Sequence, residues 1–538
     1  MTVQETPVLI AGGGPVGLAL ATELGWRGIP CTLIEQTDGS IHLPKMNEIN
    51  SRTMEFCRRW GIADQVMNCR FPADHPMDVV FMTSLGGYEL GRMERPAKRD
   101  QVPGPFSPMR AQICSQQWFD PLLRERAALF PCVSLRYGHR LDGFEVTGDG
   151  VVARLTDLAD GTDYAMLAHY LVGCDGANSL IREALGIGLE GTEVLGRPLH
   201  MFFRTPDLFA QLDLKPGTFF LAIDKDGLWA NIRVIDPDDG LWRLMVLDSK
   251  ADLDPAEIDC DAYLERALGR KLYVEWVGVS VWVRRGVVAE RYGDGPVFLA
   301  GDAVHQLSPT GALGMNTGIG DAVDLGWKLA ATIDGWSGAG LLASYDFERR
   351  MIGHRNVGMV TEFYQGHAAF TDGMAAIEDN TPQGAKLRAG LGEALVRDIA
   401  RMFRSTGLQL GYCYGGSPIC VADGAAPHRD GPEEPELMAR SGGRAPHSWL
   451  KDGRSIIDLF GRGFILLRFG NRASDASALA GAAAARQVPL EVVTLEEQEA
   501  AEIYQSKLVL VRPDGHVAWR ANEAPTDPVS LIDTVRGA

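Results

Sequence analysis

The amino-acid sequence predicts an α/β fold, and three stretches of the 538-residue chain indicate it. An apolar run at 8–11 predicts a buried strand, and the Ala- and Leu-rich stretch 15–27 predicts the helix that follows. Residues 197–283 are rich in aromatic and β-branched side chains and contain turns, which is typical of an antiparallel sheet. Beyond residue 411, strand and helix patterns alternate and end in a hairpin, which predicts a small separate α/β domain.

A glycine-rich turn joins the first strand to the first helix. Gly12, Gly14 and Gly17 stand in the pattern Gly-x-Gly-x-x-Gly. The first glycine permits the tight turn, the second lets the backbone approach phosphates, and the third lets helix and strand pack closely. Phosphates would lie against the helix N-terminus, where free N–H groups and the helix dipole favour negative charge. The pattern predicts a Rossmann-like dinucleotide site, and the alternative is a purely structural turn.

An acidic residue narrows the choice of dinucleotide. A second predicted strand at 31–34 ends in Glu35, roughly 20 residues after the glycines, where this fold places the carboxylate that binds a ribose hydroxyl. A carboxylate there favours FAD or NAD over NADP. The candidate contacts of this segment are Gly12, Gly14, Pro15, Val16, Gly17, Glu35 and Gln36.

A second glycine-rich segment, 301–316, follows a predicted buried strand at 296–300 and precedes a predicted helix at 318–334. Asp302 supplies a carboxylate, and the loop beyond it offers bare backbone, as the ribityl chain and ring of a flavin require. One dinucleotide can span both segments, which favours FAD. In the alternative interpretations Asp302 caps a helix and His305 is a structural histidine.

Composition excludes several classes of partner and site. The formal net charge of -18 disfavours nucleic acid and anionic membranes. The chain has no apolar run long enough to span a bilayer and no signal-peptide pattern at its start. Its nine cysteines form no CxxC pair, which indicates reduced thiols in a cytoplasmic protein and no metal site.

Periodicity and turn residues predict the remaining elements in order. A helix is expected over 51–65, ending at Gly61, and another over 115–129. Strands are expected within 77–90 and 133–156 and at 170–174, with a Pro-rich loop at 96–108. The tail is expected to hold a linker at 427–443, strands at 464–468 and 490–495, a helix at 476–486 and a hairpin at 507–519.

Three motifs carry a resemblance to the single-component FAD-dependent aromatic hydroxylases, the p-hydroxybenzoate and phenol hydroxylase-like monooxygenases. They are the first glycine segment, Cys174-Asp175-Gly176 with Ser179 and Arg182, and Gly301-Asp302 with His305, Pro309 and Gly311. The resemblance covers essentially the whole chain. The tail resembles the thioredoxin-like domain of the phenol and polyketide hydroxylase branch, but its lack of a CxxC pair favours a structural or dimer-forming role.

The resemblance implies a discontinuous arrangement of domains. A Rossmann-like FAD-binding domain would comprise 1–75, 108–185 and 288–405. An antiparallel substrate-binding sheet would be inserted as 76–107 and 186–287. The thioredoxin-like domain would occupy 410–538.

The resemblance also implies roles for individual residues. Glu35 would bind the adenosine ribose, Asp302 the ribityl chain, and the backbone of 314–316 the pyrimidine end of the flavin ring. Asp175 and Arg182 match a motif proposed to serve both FAD and the visiting nicotinamide nucleotide. The cofactor contacts implied in this way, beyond the first glycine segment, are Lys45, Arg110, Gln116, Asp175, Arg182, Asp302, Pro309, Gly311, Gly314, Met315 and Asn316.

The implied reaction is hydroxylation of a phenolic or otherwise activated aromatic compound. FAD would be reduced by transiently bound NADPH or NADH, react with O2 to a C4a-hydroperoxide and transfer a hydroxyl group to the ring. A Baeyer–Villiger oxygenase or a flavin halogenase of the same fold is the alternative, and a non-catalytic flavin-binding scaffold is a more remote one. The resemblance leaves a homodimer open.

The substrate is expected between the flavin and the antiparallel sheet. Strand alternation places Trp229, Asn231 and Arg233 on one face, where the arginine can pair with a substrate carboxylate or phenolate. The alternative is that these residues are core aromatics and a solvated arginine. The candidate pocket residues are Asn47, His200, Phe202, Phe220, Trp229, Asn231, Arg233 and Pro309, and none of them names the aromatic compound.

Overall fold

The structure is a computed structural model that describes residues 3–249, 254–367, 374–398, 403, 405–425, 431, 434–470 and 475–538. The strands in these ranges are β1 Val3–Ala11, β2 Cys31–Glu35, β3 Glu48–Ile49, β4 Val79–Met82, β5 Glu89–Met93, β6 Gln112–Ile113, β7 Val133–Tyr137, β8 His139–Thr147, β9 Gly150–Asp157, β10 Thr162–Gly173, β11 Leu189–Gly196, β12 Leu199–Arg204, β13 Phe219–Asp224, β14 Gly227–Asp236, β15 Leu241–Val246, β16 Glu275–Val281, β17 Arg284–Ala289, β18 Gly293–Asp294, β19 Val297–Leu299, β20 His305–Gln306, β21 Phe464–Phe469, β22 Leu490–Leu495, β23 Leu508–Val511 and β24 Val517–Ala521. The helices are α1 Pro15–Arg27, α2 Ser51–Trp60, α3 Ala63–Met67, α4 Gln116–Ala128, α5 Leu180–Ala184, α6 Leu208–Leu212, α7 Cys260–Leu268, α8 Gly314–Ile333, α9 Ala343–His367, α10 Pro382–Asp398, α11 Thr406–Leu410, α12 Ser477–Ala485, α13 Gln498–Tyr504 and α14 Pro528–Val535.

The first sheet brings the three sequence motifs to one edge. Its order is β18-β19-β10-β1-β2-β7, and β19, β10, β1, β2 and β7 run parallel. Ala11 at the end of β1 pairs with Gly173 at the end of β10, which pairs with Leu299 at the end of β19. The carboxyl ends of adjacent parallel strands meet at one edge, where open α/β sheets bind their ligands. Each motif begins directly after one of these three strands.

The inserted sheet has the order β16-β12-β15-β14-β13-β4-β5 and is antiparallel except where β4 and β13 pair in parallel. One of its faces packs against α7 in an apolar core that includes Phe203, Ile232, Leu244 and Leu264. On the opposite face, Phe81 and Leu221 pack against Leu391 and Leu395 of α10.

The C-terminal sheet has the order β22-β21-β23-β24, with α12 and α14 packed in its core. A buried ionic network joins it to the first domain, because the Arg512 guanidinium pairs with Glu348 of α9 and Asp324 of α8. Lys328 also binds both of these carboxylates. Breaking one member of such a network leaves an uncompensated buried charge, so these pairs hold the two domains in a defined orientation.

The predicted fold class is confirmed, and several elements differ in detail. The predicted helix over 51–65 is two helices, because Gly61 adopts the left-handed conformation (φ 77°) that ends α2. The helix predicted from 318 begins at Gly314. The predicted linker 427–443 lies partly outside the described residues, and the domain boundaries stay a prediction. No helix in the described ranges is both long and apolar enough to cross a membrane.

Candidate functional site

The first glycine segment forms an open cradle. Gly12 has φ 112°, and a side chain there would overlap the carbonyl of Cys174. A side chain at Gly17 would overlap the Gly12 carbonyl in the same way, whereas a Cβ at Gly14 would have no atom within 4 Å. The turn therefore needs Gly12 and Gly17 for its own packing, whereas Gly14 faces open space at the N-terminus of α1. This geometry fits a bound pyrophosphate.

Glu35 lies beside this cradle at the end of β2. Its Oε2 accepts a hydrogen bond from Gly13 N–H at 2.7 Å, and its Oε1 accepts from Thr37 N–H and Oγ1 at 2.8 Å each. A carboxylate has about four acceptor positions, so Glu35 can keep these bonds and still accept from a ribose hydroxyl.

Val16 joins the two glycine segments in space. A Cβ at Gly301 would lie 2.9 Å from a Val16 methyl, and a Cβ at Gly318 of α8 would lie 2.6 Å from it. Helix α1 therefore packs directly on the second segment, and α1 and α8 are in extensive contact. The two loops border one cleft because small residues allow this approach.

Asp302 lies in the cleft formed by these loops. The residue is exposed to solvent although protein surrounds it, as expected for a carboxylate at the base of an open cleft. Partial loss of hydration raises its pKa, opposed by the nearby charges of His305 and Lys45. Hydroxyl donors of a ribityl chain would restore the lost hydrogen bonds, so this site fits FAD.

The loop before α8 presents free backbone donors. Gly311 and Ala312 have φ 82° and 54°, a left-handed pair that turns the chain, and Pro309 before them is exposed. No side chain caps the N-terminus of α8, so the N–H groups of Gly314 and Met315 have no partner within the helix. A helix N-terminus stabilises negative charge, which matches the requirement of a reduced flavin ring.

Two predicted cofactor residues hold the segment 45–50 against this loop. The Asn316 side chain donates to the Glu48 carbonyl at 3.1 Å and accepts from Asn50 N–H at 3.0 Å. Gln116, at the start of α4, accepts from Lys45 N–H at 3.1 Å. The structure therefore shows the side chains of Asn316 and Gln116 positioning the wall of the cleft, which brings Lys45 near Asp302.

Asp175 and Arg182 have different environments at the second motif, which follows β10. Asp175 Oδ2 accepts from Ile181 N–H at 3.1 Å, but its Oδ1 is buried without a partner, and burial raises its pKa. The Arg182 guanidinium donates to the carbonyls of Ala177 and Ala303 at 3.1 and 3.2 Å. Arg182 thus ties the second and third motifs together, while Asp175 keeps an unused acceptor.

Of three other sequence candidates, two are exposed and one is buried. Arg110 is exposed and donates to the Val102 carbonyl within its own loop, and Gln36 is exposed beyond Glu35. His305 is fully buried with Nε2 2.7 Å from Asp321, which also accepts from Arg349. This buried, hydrogen-bonded position agrees with the interpretation of His305 as a structural histidine.

One face of the inserted sheet collects polar and charged side chains. Arg233 on β14 is directly opposite Arg243 on β15, and Arg243 is opposite Phe202 on β12. Alternation places His200 and Asn231 on the same face. Arg243 donates to Asn231 Oδ1 over a long 3.4 Å, and Glu48 is the carboxylate beside Arg233, at 3.9 Å.

The expected alternation fails at Trp229. A bulge inserts Trp229 between the pairs Ala222–Ala230 and Ile223–Leu228, so its ring turns to the other face and lies 3.9 Å from the Arg266 guanidinium of α7. Phe220 also packs in the core against α7. The structure therefore separates Trp229 and Phe220 from Asn231 and Arg233, and does not bring these aromatic rings to the polar face.

The arginines on the polar face carry more positive charge than their neighbours neutralise. Burial lowers the pKa of Arg243 to about 9, with repulsion from Arg233 as a further cause, and burial lowers that of Arg233 to about 10. The Nε atoms of both are buried without a partner. Burial, followed by the charges of Arg243 and Arg284, also lowers the pKa of His200. An anion here would relieve this unfavourable arrangement.

Sequence reasoning missed Glu48, Arg243 and Arg284. Arg284 is almost fully buried, with its guanidinium 4.2 Å from the Tyr364 ring. The available signal was an arginine in the middle of the otherwise apolar run 241–246, since charged residues are rarely buried without a partner. Asn47 was predicted, and it is buried with both amide atoms unpartnered.

Comparison with known proteins agrees with this geometry. The FAD binding domain family matches residues 5–359, and the family described as aromatic-ring hydroxylase, C-terminal, matches 438–537. The FAD-dependent monooxygenase apdD of Emericella nidulans is 33% identical over 96% of this chain and 87% of its own. The tetracenomycin B2 monooxygenase-dioxygenase of Streptomyces olivaceus is 31% identical over 99% and 98%.

A solved structure extends the likeness to the whole fold. RebC, soaked with chromopyrrolic acid and containing bound 7-carboxy-K252c, is 40% identical, matches with a TM-score of 0.92, and is covered over 100% of both chains. The resemblance inferred from the three motifs is confirmed by these matches. The chain belongs to the family of FAD-dependent aromatic-ring monooxygenases.

Proposed function

We propose that this enzyme hydroxylates an aromatic substrate that carries a carboxylate, using O2 and NADPH or NADH. The observation that carries the proposal is the opposed pair Arg233 and Arg243 on the face of the inserted sheet that bears His200 and Phe202. In this proposal the pair would select the substrate, while the cleft of the two glycine segments supports FAD as the resident cofactor.

The redox chemistry, uptake of a hydride equivalent from NAD(P)H and activation of O2, would be supplied by FAD when bound. The chain would bind its phosphates at Gly14 and α1, its riboses or ribityl hydroxyls at Glu35 and Asp302, and its ring beside the N-terminus of α8. The remaining task of the protein is to orient the aromatic ring and to exclude water.

Charge balance argues for an acidic substrate. Arg233 and Arg243 face each other with Glu48 as the neighbouring carboxylate, and their Nε atoms are unpartnered. Burying charge without a partner is costly, and a planar carboxylate satisfies a guanidinium through two parallel hydrogen bonds. A substrate carboxylate between the two arginines would therefore neutralise their charge and anchor the substrate.

His200 adds a neutral donor to this face. The Trp282 indole N–H, which only donates, lies 2.9 Å from His200 Nε2, so Nε2 accepts and the proton of neutral His200 belongs on Nδ1. The lowered pKa of His200 keeps the ring neutral at pH 7. A neutral Nδ1–H suits an aromatic hydroxyl or carbonyl oxygen and adds no third charge.

The solved neighbour supports the same substrate class. RebC is described with an acid as the soaked compound and a carboxy compound bound. That description concerns RebC. We extend the acidic substrate class to this protein because of the Arg233–Arg243 pair. We keep the expected pocket residues Asn47, His200, Phe202, Asn231 and Arg233 in the proposal and add Arg243.

The test compares polycyclic aromatic carboxylic acids with their carboxamides. The purified FAD-loaded enzyme is assayed for NADH and NADPH oxidation, for peroxide and for product that has gained one oxygen atom. We expect the acids to stimulate coupled turnover and the amides to bind at least about tenfold more weakly, since a charged hydrogen bond is worth about 1.5–3 kcal/mol. Equal turnover of both series would contradict the acidic-substrate proposal, and lactone products from ketones would contradict hydroxylation.

Matched variants locate the effect. Arg243→Met should weaken binding of the acid and leave binding of the amide nearly unchanged. Arg243→Lys should retain only part of the affinity for the acid, because an ammonium lacks the bidentate geometry of a guanidinium. Arg140→Met, at an exposed site on β8, serves as the control and should change neither.

A further inference from the structure

A second cluster of reactive groups lies outside the flavin cleft, around Cys69. This cysteine is half-buried between α3 and β4, and its Sγ lies 3.2 Å from Lys98 Nζ and 3.3 Å from the Ile113 carbonyl oxygen. That carbonyl belongs to the peptide bond that leads into Cys114, so Cys114 is next to the Cys69 sulfur. Two cysteines and one lysine thus meet at a single point.

Lys98 shows which form of Cys69 the site favours. Its side chain is more than nine-tenths buried (8% exposed), and among the described residues the Cys69 sulfur is the hydrogen-bond partner of its ammonium. A buried ammonium needs a counter-charge, because an unpaired buried charge is strongly unfavourable. The thiolate of Cys69 is the group placed to supply that charge.

The two sulfurs have opposite acid–base properties. Cys69 has its pKa lowered to about 6, first by the hydrogen bond from Cys114 and then by the Lys98 charge. Cys114 is fully buried, and its pKa is raised well above the usual range by the hydrogen bond to Cys69, by burial and by the charge of Cys69, with Cys57 as a smaller cause. The two sulfurs are therefore biased in opposite directions, with the thiolate favoured at Cys69 and the thiol at Cys114.

Cys69 lies at a pocket that opens to solvent. Cys69 lines a surface pocket of about 560 Å³ together with Asp64, Asn68, Gln117, Trp118 and Leu122. Nearby Cys57 is fully buried and its pKa is raised by burial, so it does not compete as a nucleophile. Access and thiolate character coincide at Cys69, and these two properties determine cysteine reactivity.

The cluster also contacts the wall of the flavin cleft. The Cys114 N–H donates to the Asn47 carbonyl at 2.9 Å, and β6 just before Cys114 pairs with β3 in the segment that Asn316 holds. A covalent change at Cys114 would therefore act on the backbone that carries Asn47 and Glu48.

We propose that Cys69 is a peroxide-reactive thiolate and that Cys114 resolves its oxidised form into a reversible disulfide. The Cys69 thiolate attacks hydrogen peroxide, so an S–O bond forms, the O–O bond breaks and hydroxide leaves as water after taking a proton. Cys114 then loses its proton and attacks this sulfur, so an S–S bond forms, the S–O bond breaks and a second water leaves. Two thiols are oxidised and one peroxide is reduced.

The first experiment measures thiol reactivity in the FAD-loaded protein. Iodoacetamide labelling at pH 6.5, followed by peptide mass spectrometry, should modify Cys69 at least about tenfold faster than Cys260, because only the thiolate reacts. Cys260 is the internal control, since it is also half-exposed but burial and its acidic neighbours raise its pKa. Lys98→Met should remove the advantage of Cys69, and Lys98→Arg should retain it.

The second experiment follows the peroxide reaction. Stoichiometric peroxide should link the Cys69 and Cys114 peptides, with reversal by dithiothreitol. In Cys114→Ser the reaction should stop at a sulfenic acid that dimedone traps at Cys69. Labelling of Cys69 no faster than Cys260 in the wild-type protein, or peroxide treatment that yields neither the linked peptides nor the trapped sulfenic acid, would overturn the proposal. Neither readout depends on the substrate class of the enzyme.

Discussion

Arg233 and Arg243 face each other directly across two hydrogen-bonded strands of the inserted sheet, and the nearest carboxylate to Arg233 is Glu48 at 3.9 Å. Like charges directly opposite in a sheet are destabilising, so a natural sheet that retains them has a use for them. The use that we propose is recognition of an anionic substrate, and several measurements can test the residues around it.

Glu48 lies 3.9 Å from Arg233 and would compete with the proposed acidic substrate for this arginine. We therefore expect Glu48→Gln to tighten the binding of an aromatic carboxylate by roughly threefold to tenfold. A charged hydrogen bond is worth about 1.5–3 kcal/mol, and removing the charge of Glu48 would make only part of this energy available to the substrate. Titration of the flavin absorbance with substrate gives the dissociation constant. The matched amide is the control, and weaker binding of the acid would show that Glu48 helps rather than opposes recognition.

Gly14 faces open space, whereas Gly17 is needed for packing. Gly14→Leu should yield a folded protein that has lost most of its FAD, because the side chain would occupy the phosphate position rather than clash with the chain. Gly17→Ala should instead lower the thermal midpoint of the apoprotein, since its Cβ would overlap the Gly12 carbonyl. Flavin content and circular dichroism melting distinguish the two, and a yellow Gly14→Leu protein would argue against the predicted phosphate site.

Asp302 should matter for flavin affinity more than for stability. The carboxylate faces the cleft and its pKa is raised by burial, so Asp302→Ala removes an acceptor for hydroxyl groups and relieves an unfavourable charge. We expect at least about tenfold weaker FAD binding, the loss of one or two charged hydrogen bonds, with an apoprotein that melts no lower than the wild type. Isothermal titration of apoprotein with FAD and a melting curve provide the two readouts.

Glu55 should make the domain arrangement sensitive to acid. This buried carboxylate accepts from Arg444 of the C-terminal domain and from Arg52 and Ser107 of the first, and these cations outweigh burial to lower its pKa to about 2. A depressed folded pKa means stability that is present above the unfolded value, near 4.5, and lost as pH falls toward 2. The loss amounts to roughly 3 kcal/mol at 1.36 kcal/mol per pKa unit.

Denaturant unfolding at pH 7 and pH 3.5 tests this expectation. The wild-type free energy of unfolding should fall between the two, and Glu55→Gln should be less stable at pH 7 but lose less on acidification. Asp452→Asn, at an exposed carboxylate of the C-terminal domain, is the control. Equal acid sensitivity of wild type and Glu55→Gln would show that Glu55 is not the group that titrates.

Local sequence patterns predicted much of the secondary structure. Helix α1 has its predicted bounds, and the strands before Gly12, Asp175 and Gly301 end within one residue of the predicted ends, because each pattern depends only on neighbouring residues. β1 and β10 begin five and eight residues earlier than predicted. The end of a helix at Gly61 was also predicted, but the separate short helix α3 after it was not. Alternation failed at Trp229, since a bulge depends on the partner strand rather than on the strand itself.

The sequence by itself determined the dinucleotide loop, the acid at the end of β2 and the order of the three motifs, because glycines and a buried strand have the same meaning in any similar context. The tertiary structure decided which side chains share the substrate face. Arg243 is remote from Phe202 along the chain and lies opposite it only through sheet register, just as Cys69 meets Lys98 only through packing. Register and packing are long-range properties, so the side-chain clusters behind the two proposals become visible only in the folded chain.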